Sequence, residues 1–277
     1  MNSPWGNRPG GTRASAPKQR SALAPVADAH RDELRLYGFN AVRAVYARRP
    51  EAIRKLYLAE ARIPALQPLL KWCVAHRVGY RVVDDNDLNK LAASAHHEGV
   101  VADVLREAPL PLADWLRTLA PGPALALWLD GVGNPHNFGA ILRSAAHFGA
   151  AAILLPEGAT LALSGAAARV AEGGAEAVPL VRLPAPAQAL AQLRNADFAL
   201  AATLVEGGDA LFATALPQRL IYVMGAERDG MDRGFAQACD LRLSIPGSGA
   251  VESLNVAAAA AVLLGTWCGL HSLQIDR

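Results

Sequence analysis

Six apolar segments constrain this 277-residue chain more than any other feature: continuous runs at residues 124–129, 151–155, 177–181, 198–202 and 220–224, and the alternating L-R-L-S-I at 241–245. Each continuous run is short for a helix and lacks the alternation of a half-exposed strand, so each reads as a strand covered on both faces. Helical segments separate them. Strands of this kind alternating with helices build a mainly parallel sheet with helices on either side, an α/β fold. Ligands of such open sheets lie beyond the carboxyl ends of the strands. Three strand ends run into polar, glycine-containing loops, residues 130–139, 225–230 and 246–255, and a site is expected there.

The last of these loops is the most informative. I-P-G-S-G-A-V-E-S-L-N, residues 245–255, leads from a strand into an alanine-rich helix. Proline removes a backbone donor and glycine admits φ > 0, so the segment is a sharp turn that lets main chain approach a ligand. Ser253 stands where a helix cap is expected, with Asn255 at the first turn and its amide able to donate and accept. The apolar run that follows, residues 256–264, falls far short of the roughly 20 residues of a membrane span.

In the first loop, Gly131 and Gly133 resemble the start of a dinucleotide fingerprint. Pro135-His136 falls where its third glycine belongs, and no Lys-Ser/Thr follows as in a P-loop. Asn137 lies at a helix start, and Arg143 projects from the second turn. An arginine among Ala, Ile and Leu needs a partner, either a structural ion pair or an oxygen-rich ligand gripped by the guanidinium fork. Glu227, two residues beyond Gly225 in the second loop, is the expected ion partner of Arg143.

The front half reads differently. Residues 1–30 are rich in Gly, Pro, Ser and Ala, and Arg8, Arg13, Lys18 and Arg20 precede the first acid, so this is expected to be a disordered basic tail. Residues 31–106 read as a small α/β module. Its pattern is a helix around Val42, Val45 and Tyr46 ended by Pro50, a strand at 53–59, a helix at 64–76 with Leu66, Leu69, Leu70 and Val74 inward, and strands at 80–83 and after Gly99. His96 and His97 are adjacent, share no face and have no third ligand at a useful spacing, so they are read as fixing the turn at Gly99 and not as a metal site. Residues 107–122, proline-rich around a short helix at 112–119, read as a linker to a second domain over 123–277.

Charge divides along the same line. Residues 1–122 carry 18 Lys/Arg against 12 Asp/Glu, and residues 123–277 carry 9 against 13. A basic front half is the footprint of a module that recruits a polyanion. The scattered Cys73, Cys239 and Cys268 show no pairing pattern and the first residues hold no apolar signal segment, which fits a reduced cytoplasm.

N-P-H-N-F-G-A-I-L-R-S-A (134–145), V-M-G-A-E-R-D-G-M (223–231) and S-I-P-G-S-G-A-V-E-S-L-N-V (244–256) together resemble the three signature motifs of the SpoU (TrmH-type) 2′-O-ribose RNA methyltransferases of the SPOUT superfamily. The front module, ending in H-H-E-G-V, is similar to the substrate-binding domain of several members. The runs R-D-E-L-R-L-Y-G-F-N-A-V (31–42) and A-E-G-G-A-E (171–176) look closest to the YfiF-like branch. The resemblance implies a C-terminal trefoil knot, a homodimer, RNA (tRNA or rRNA) as substrate and S-adenosylmethionine as cofactor, with no metal or membrane partner. It implies cofactor contacts at Thr203, Gly225, Ile245 and Leu254. Arg143 would hold the ribose hydroxyl and assist its deprotonation, Asn137, Ser253 and Asn255 would orient it, and Glu227 would restrain the site. A guanidinium is a poor base, so positioning is the larger part of its role. Gly247 replaces a usual methionine, Ala257 a frequent serine, and Arg228-Asp229 a glycine-rich continuation. Two rival functions stand beside this one: a nicotinamide oxidoreductase, which the broken fingerprint disfavours, and an RNA-binding factor that kept the fold and lost turnover.

Overall fold

The computed structural model describes residues 33–226 and 230–271, so the expected tail at 1–30 and Glu227 lie outside the described residues. The first part of the chain runs β1 (Glu33–Tyr37), α1 (Phe39–Arg48), β2 (Ile53–Leu58), α2 (Ile63–Ala75), β3 (Gly79–Val82), α3 (Asp85–Ala92) and β4 (Val100–Leu105). Its strands form a sheet in the order β1-β4-β2-β3. α1 ends at Arg48 because Pro50 pushes the residue before it out of the helical region, and Arg49 sits at φ −148°. Asp84 caps α3 by accepting from the amide of Asp87 at 2.8 Å.

β1 is an element that the apolar runs did not announce. E-L-R-L-Y alternates, with Leu34 and Leu36 buried, and it pairs antiparallel to β4 so that Arg35 meets Asp103 across the strands at 2.6 Å. In α2 the inward stripe is Leu66, Leu69 and Cys73. Val74, expected inward, is 66% exposed because it lies one residue, about 100° of turn, past that stripe. Nδ1 of the buried His97 accepts from the amide of Gly99 at 3.0 Å, which is the turn-fixing role expected of it. Among the described residues no three His, Cys, Asp or Glu side chains are grouped to hold a metal ion, and no helix is long and apolar enough to cross a membrane.

The rest of the chain contributes β5 (Leu110–Pro111), α4 (Leu112–Thr118), β6 (Ala124–Leu129), α5 (Pro135–His147), β7 (Ala152–Leu155), α6 (Gly165–Ala171), β8 (Leu180–Arg182), α7 (Pro186–Asn195), β9 (Ala199–Leu204), β10 (Asp209–Ala210), β11 (Arg219–Met224), α8 (Arg233–Ala238), β12 (Leu241–Ser244) and α9 (Val256–His271). The second sheet is ordered β10-β12-β9-β11-β6-β7-β8-β5, and its neighbours pair in parallel. Its strands are covered on both faces. Leu125, Leu127 and Leu129 of β6 face a core shared with α5, α6 and α9, while Ala126 and Trp128 face the core shared with α4, α7 and α8. The run expected as a strand at 177–181 yields one only at 180–182, because a 3-10 turn at Gly174–Glu176 takes up the residues before it. Within 107–122, β5 pairs with β8 and α4 buries Leu112 and Trp115, so part of the expected linker belongs to the large sheet. Pro111 is tolerated there because β5 is an edge strand.

The small sheet is docked on the large one through named contacts. Ala168 of α6 enters the core of the front module, Arg169 bonds Glu98 at 2.7 Å, and Nδ2 of Asn40 donates to Glu172 at 2.7 Å. Arg49, just past α1, holds Glu176. The described residues from Glu33 onward form a single compact unit.

Candidate active site

β12, β9 and β11 lie side by side, so the loops that leave their carboxyl ends rise together. They enclose a cavity of about 560 Å³ lined by Thr203, Gly225, Ile245, Ser253, Leu254 and Asn255 among others. That volume is in the range of a small-molecule site. All four residues expected to contact a cofactor, and two of those expected in the chemistry, therefore meet at one place.

The local reasons are visible in each loop. Thr203 spends its hydroxyl on its own sheet, donating to the carbonyl of Val223 at 2.9 Å, so it presents main chain and methyl to the cavity. At Gly225 an added Cβ would stand 2.7 Å from the backbone of Gly230 and Met231. Only glycine lets the loop fold back that closely, and Ala226 and Gly230 close it with reciprocal amide-to-carbonyl bonds of 3.0 Å.

Asn255, and not Ser253, caps α9. Its Oδ1 accepts from the amides of Ala257 at 2.9 Å and Ala258 at 3.4 Å. The expectation for Ser253 fails because the helix starts at Val256, which puts the cap at the residue just before it. The same side chain also turns outward: Nδ2 of Asn255 donates to Oδ1 of Asn137 at 3.1 Å. Asn137 is in place because Asn134 caps α5, accepting from His136 at 2.8 Å, with Pro135 as the first helical residue.

Arg143 is placed differently. It is exposed on α5, outside the cavity lining, and among the described residues it makes no hydrogen bond or ion pair. Six residues beyond Asn137 it stands about 9 Å further along the helix axis. It shares a helix face with Gly139, which abuts Ala167 and Val170 of α6. A single chain thus brings Asn137 to the cavity rim and leaves Arg143 away from it. The Arg143–Glu227 pair expected from sequence involves a residue outside the described ones.

Two lining carboxylates were missed: Glu206, after β9, and Glu252, in the last loop. Both lie next to features legible in sequence, Glu206 before the glycine pair Gly207-Gly208 and Glu252 inside the third motif. At the end of β6, burial raises the Asp130 carboxyl above the ordinary carboxylate range, and the charge of Asp232 adds to the effect. Apolar walls from Leu243, Ile245, Leu254 and Leu263, main chain at the rim and two carboxylates form a setting that fits a ligand with a flat ring system and a net positive charge, which S-adenosylmethionine has.

The family model described as "SpoU rRNA Methylase family" matches residues 124–265, which carry all three loops. The chain belongs to the SpoU rRNA methylase family. A second model, "RNA 2'-O ribose methyltransferase substrate binding", matches residues 35–109, the front module of this SpoU protein. Among curated relatives, the SpoU chain is 36% identical over 85% of its length to an uncharacterized tRNA/rRNA methyltransferase, YfiF, of Escherichia coli O157:H7, of which it covers 68%. It is 38% identical over 83% of its length to the 23S rRNA (guanosine-2'-O-)-methyltransferase RlmB of Bordetella pertussis, of which it covers 94%. The fold matches the SpoU methyltransferase AviRb from Streptomyces viridochromogenes, solved in complex with AdoMet, with a TM-score of 0.72 at 24% identity over 90% of this chain and 94% of that one.

Proposed function

We propose that the cavity holds S-adenosylmethionine and that the protein methylates a ribose 2′-hydroxyl in tRNA or rRNA, working as a homodimer in the cytoplasm. One observation carries this reading: Gly225, Ile245 and Leu254, named from the family motifs, and Thr203, named from its place after a strand, line a single cavity at the ends of three adjacent strands. The relatives named for 2′-O-methylation of rRNA support the reaction type. S-adenosylmethionine supplies a methyl group already activated on a sulfonium. What the chain supplies is alignment and removal of the hydroxyl proton.

In this reading Asn255 and Asn137 orient the ribose at the rim and Arg143 steadies the hydroxyl. Because Arg143 lies away from the cavity of its own chain, it would serve the cavity of a second copy. What supports a second copy is exposed apolar surface: α9 has no charged residue before His271 and leaves Leu270 59% exposed, while Val251 in the preceding loop is 72% exposed. RNA would reach the site along the front module, where residues 61–83 contain Arg62, Lys71, Arg77 and Arg81 and no acid.

The test is transfer of labelled methyl from S-adenosylmethionine to total RNA from cells that lack the protein, followed by mapping of the ribose methylation. A 2′-O-methyl group at a defined tRNA or rRNA nucleotide is the expected product. RNA binding without transfer would make the protein an assembly factor of the same fold.

A further inference from the structure

The two runs that resemble the YfiF-like branch, of which residues 33–42 and 171–176 are described, have no part in the cavity. They face each other. Nδ2 of Asn40 donates to Glu172, and the amide of Phe39 donates to Glu98 at 2.8 Å, which in turn pairs with Arg169. At the end of this seam Arg49 clasps Glu176 with two parallel bonds, Nε to Oε2 at 2.6 Å and Nη2 to Oε1 at 2.7 Å, while Nη1 donates to the carbonyl of Leu105 at 2.6 Å. The carboxylate side chain is only 5% exposed. A bidentate pair with this much burial fixes both partners in geometry as well as in distance.

Glu176 closes the 3-10 turn Gly174–Glu176, and the other end of that turn is pressed against α5. A Cβ on Gly174 would stand 2.8 Å from the carbonyl oxygen of Leu142 and 3.0 Å from Cα of Arg143. The turn therefore rests on the backbone of the residue proposed to steady the ribose hydroxyl. We propose that Arg49 and Glu176 are positioning residues for methyl transfer: the pair pins the 174–176 turn, the turn braces the Leu142–Arg143 backbone, and the front module thereby helps set where the Arg143 guanidinium stands. This rests on the role given to Arg143 above. It adds that the docked module is part of the catalytic geometry as well as a landing site for RNA.

The experiment uses the full-length protein, tritiated S-adenosylmethionine and total RNA from cells lacking the protein, and compares Glu176→Gln, Arg49→Gln and the conservative Arg49→Lys. Displacing a catalytic group by about 1 Å through a distant contact costs up to about a hundredfold in rate, so Glu176→Gln and Arg49→Gln are expected to lower kcat by about ten- to a hundredfold. The KM for RNA and the Kd for S-adenosylmethionine stay within about twofold, and Arg49→Lys recovers part of the rate, because an interaction used only in the transition state shows in kcat. Hydrogen exchange supplies a readout independent of turnover: amides of residues 142–147 exchange faster in Glu176→Gln. Unchanged kcat and unchanged exchange in that variant, with Arg143→Ala inactive, overturn the bracing role alone. Full activity in Arg143→Ala overturns the reading it rests on.

Discussion

Asn255 and Asn137, 118 residues apart, meet side chain to side chain: Nδ2 of Asn255 donates to Oδ1 of Asn137 at 3.1 Å while Oδ1 of Asn255 caps α9. One amide thereby ties the last loop of the cavity to the start of α5. Its two ends do separable jobs, so substitution can divide them. Asn255→Ala loses the cap and is expected to cost about 1 kcal/mol, seen as a fall of about 2–4 °C in Tm. Asn255→Asp keeps an acceptor for the cap and so keeps the Tm, but loses the donor to Asn137 and is expected to transfer methyl more slowly. Thermal melts and initial rates on the same preparations check both.

Arg143→Ala should leave binding of S-adenosylmethionine and the oligomeric state unchanged while transfer falls at least about a hundredfold, the scale of losing an aligned proton-handling group. If each cavity takes its arginine from a second copy, mixing Arg143→Ala with a cofactor-binding variant restores activity. Mixed dimers would contain one intact site each, so an equal mixture should recover roughly a quarter of the wild-type rate. No recovery on mixing would place the arginine in its own chain's site.

The cofactor-binding variant is Gly225→Val. Its side chain meets the backbone of Gly230 and Met231 at 2.7 Å, where neither neighbour is a flexible side-chain end. The loop must open, at a cost of about 1–3 kcal/mol. Calorimetric titration should show affinity for S-adenosylmethionine weakened at least about tenfold, with the fold intact by circular dichroism.

Asp130 gives a pH dependence of defined sign. Burial raises its carboxyl above the ordinary value, so the native state holds a proton where the unfolded chain has released it. The stability linked to this group is fully present below the ordinary carboxylate range and is lost as pH rises through the raised value. Asp130→Asn removes that loss. Melts from pH 4 to pH 8 should show the variant gaining on the wild type as pH rises. A constant difference across the range would assign the effect to packing.

Much of this was legible in the residues themselves. Continuous apolar runs such as Leu125–Leu129 can be satisfied only by cover on both faces, and that requirement fixed the parallel sheet and put a site at its carboxyl edge. Gly225, Ile245 and Leu254, which line the cavity, could be named from sequence because the resemblance rests on motifs that are local and keep the family's intervals. Three things were not. β1 lies outside the apolar runs because Glu33 and Arg35 interrupt its E-L-R-L-Y and its partner is β4, some 70 positions on. The helix cap fell to Asn255 and not Ser253 because a cap is defined by where the helix begins, and tertiary packing of α9 on α5 decides that. The clasp of Arg49 on Glu176, and with it the bracing of the Arg143 turn, joins side chains 127 positions apart. Local propensity can specify which residues turn or pair, but which distant charges share a buried contact depends on how two sheets dock, and only the folded chain determines that.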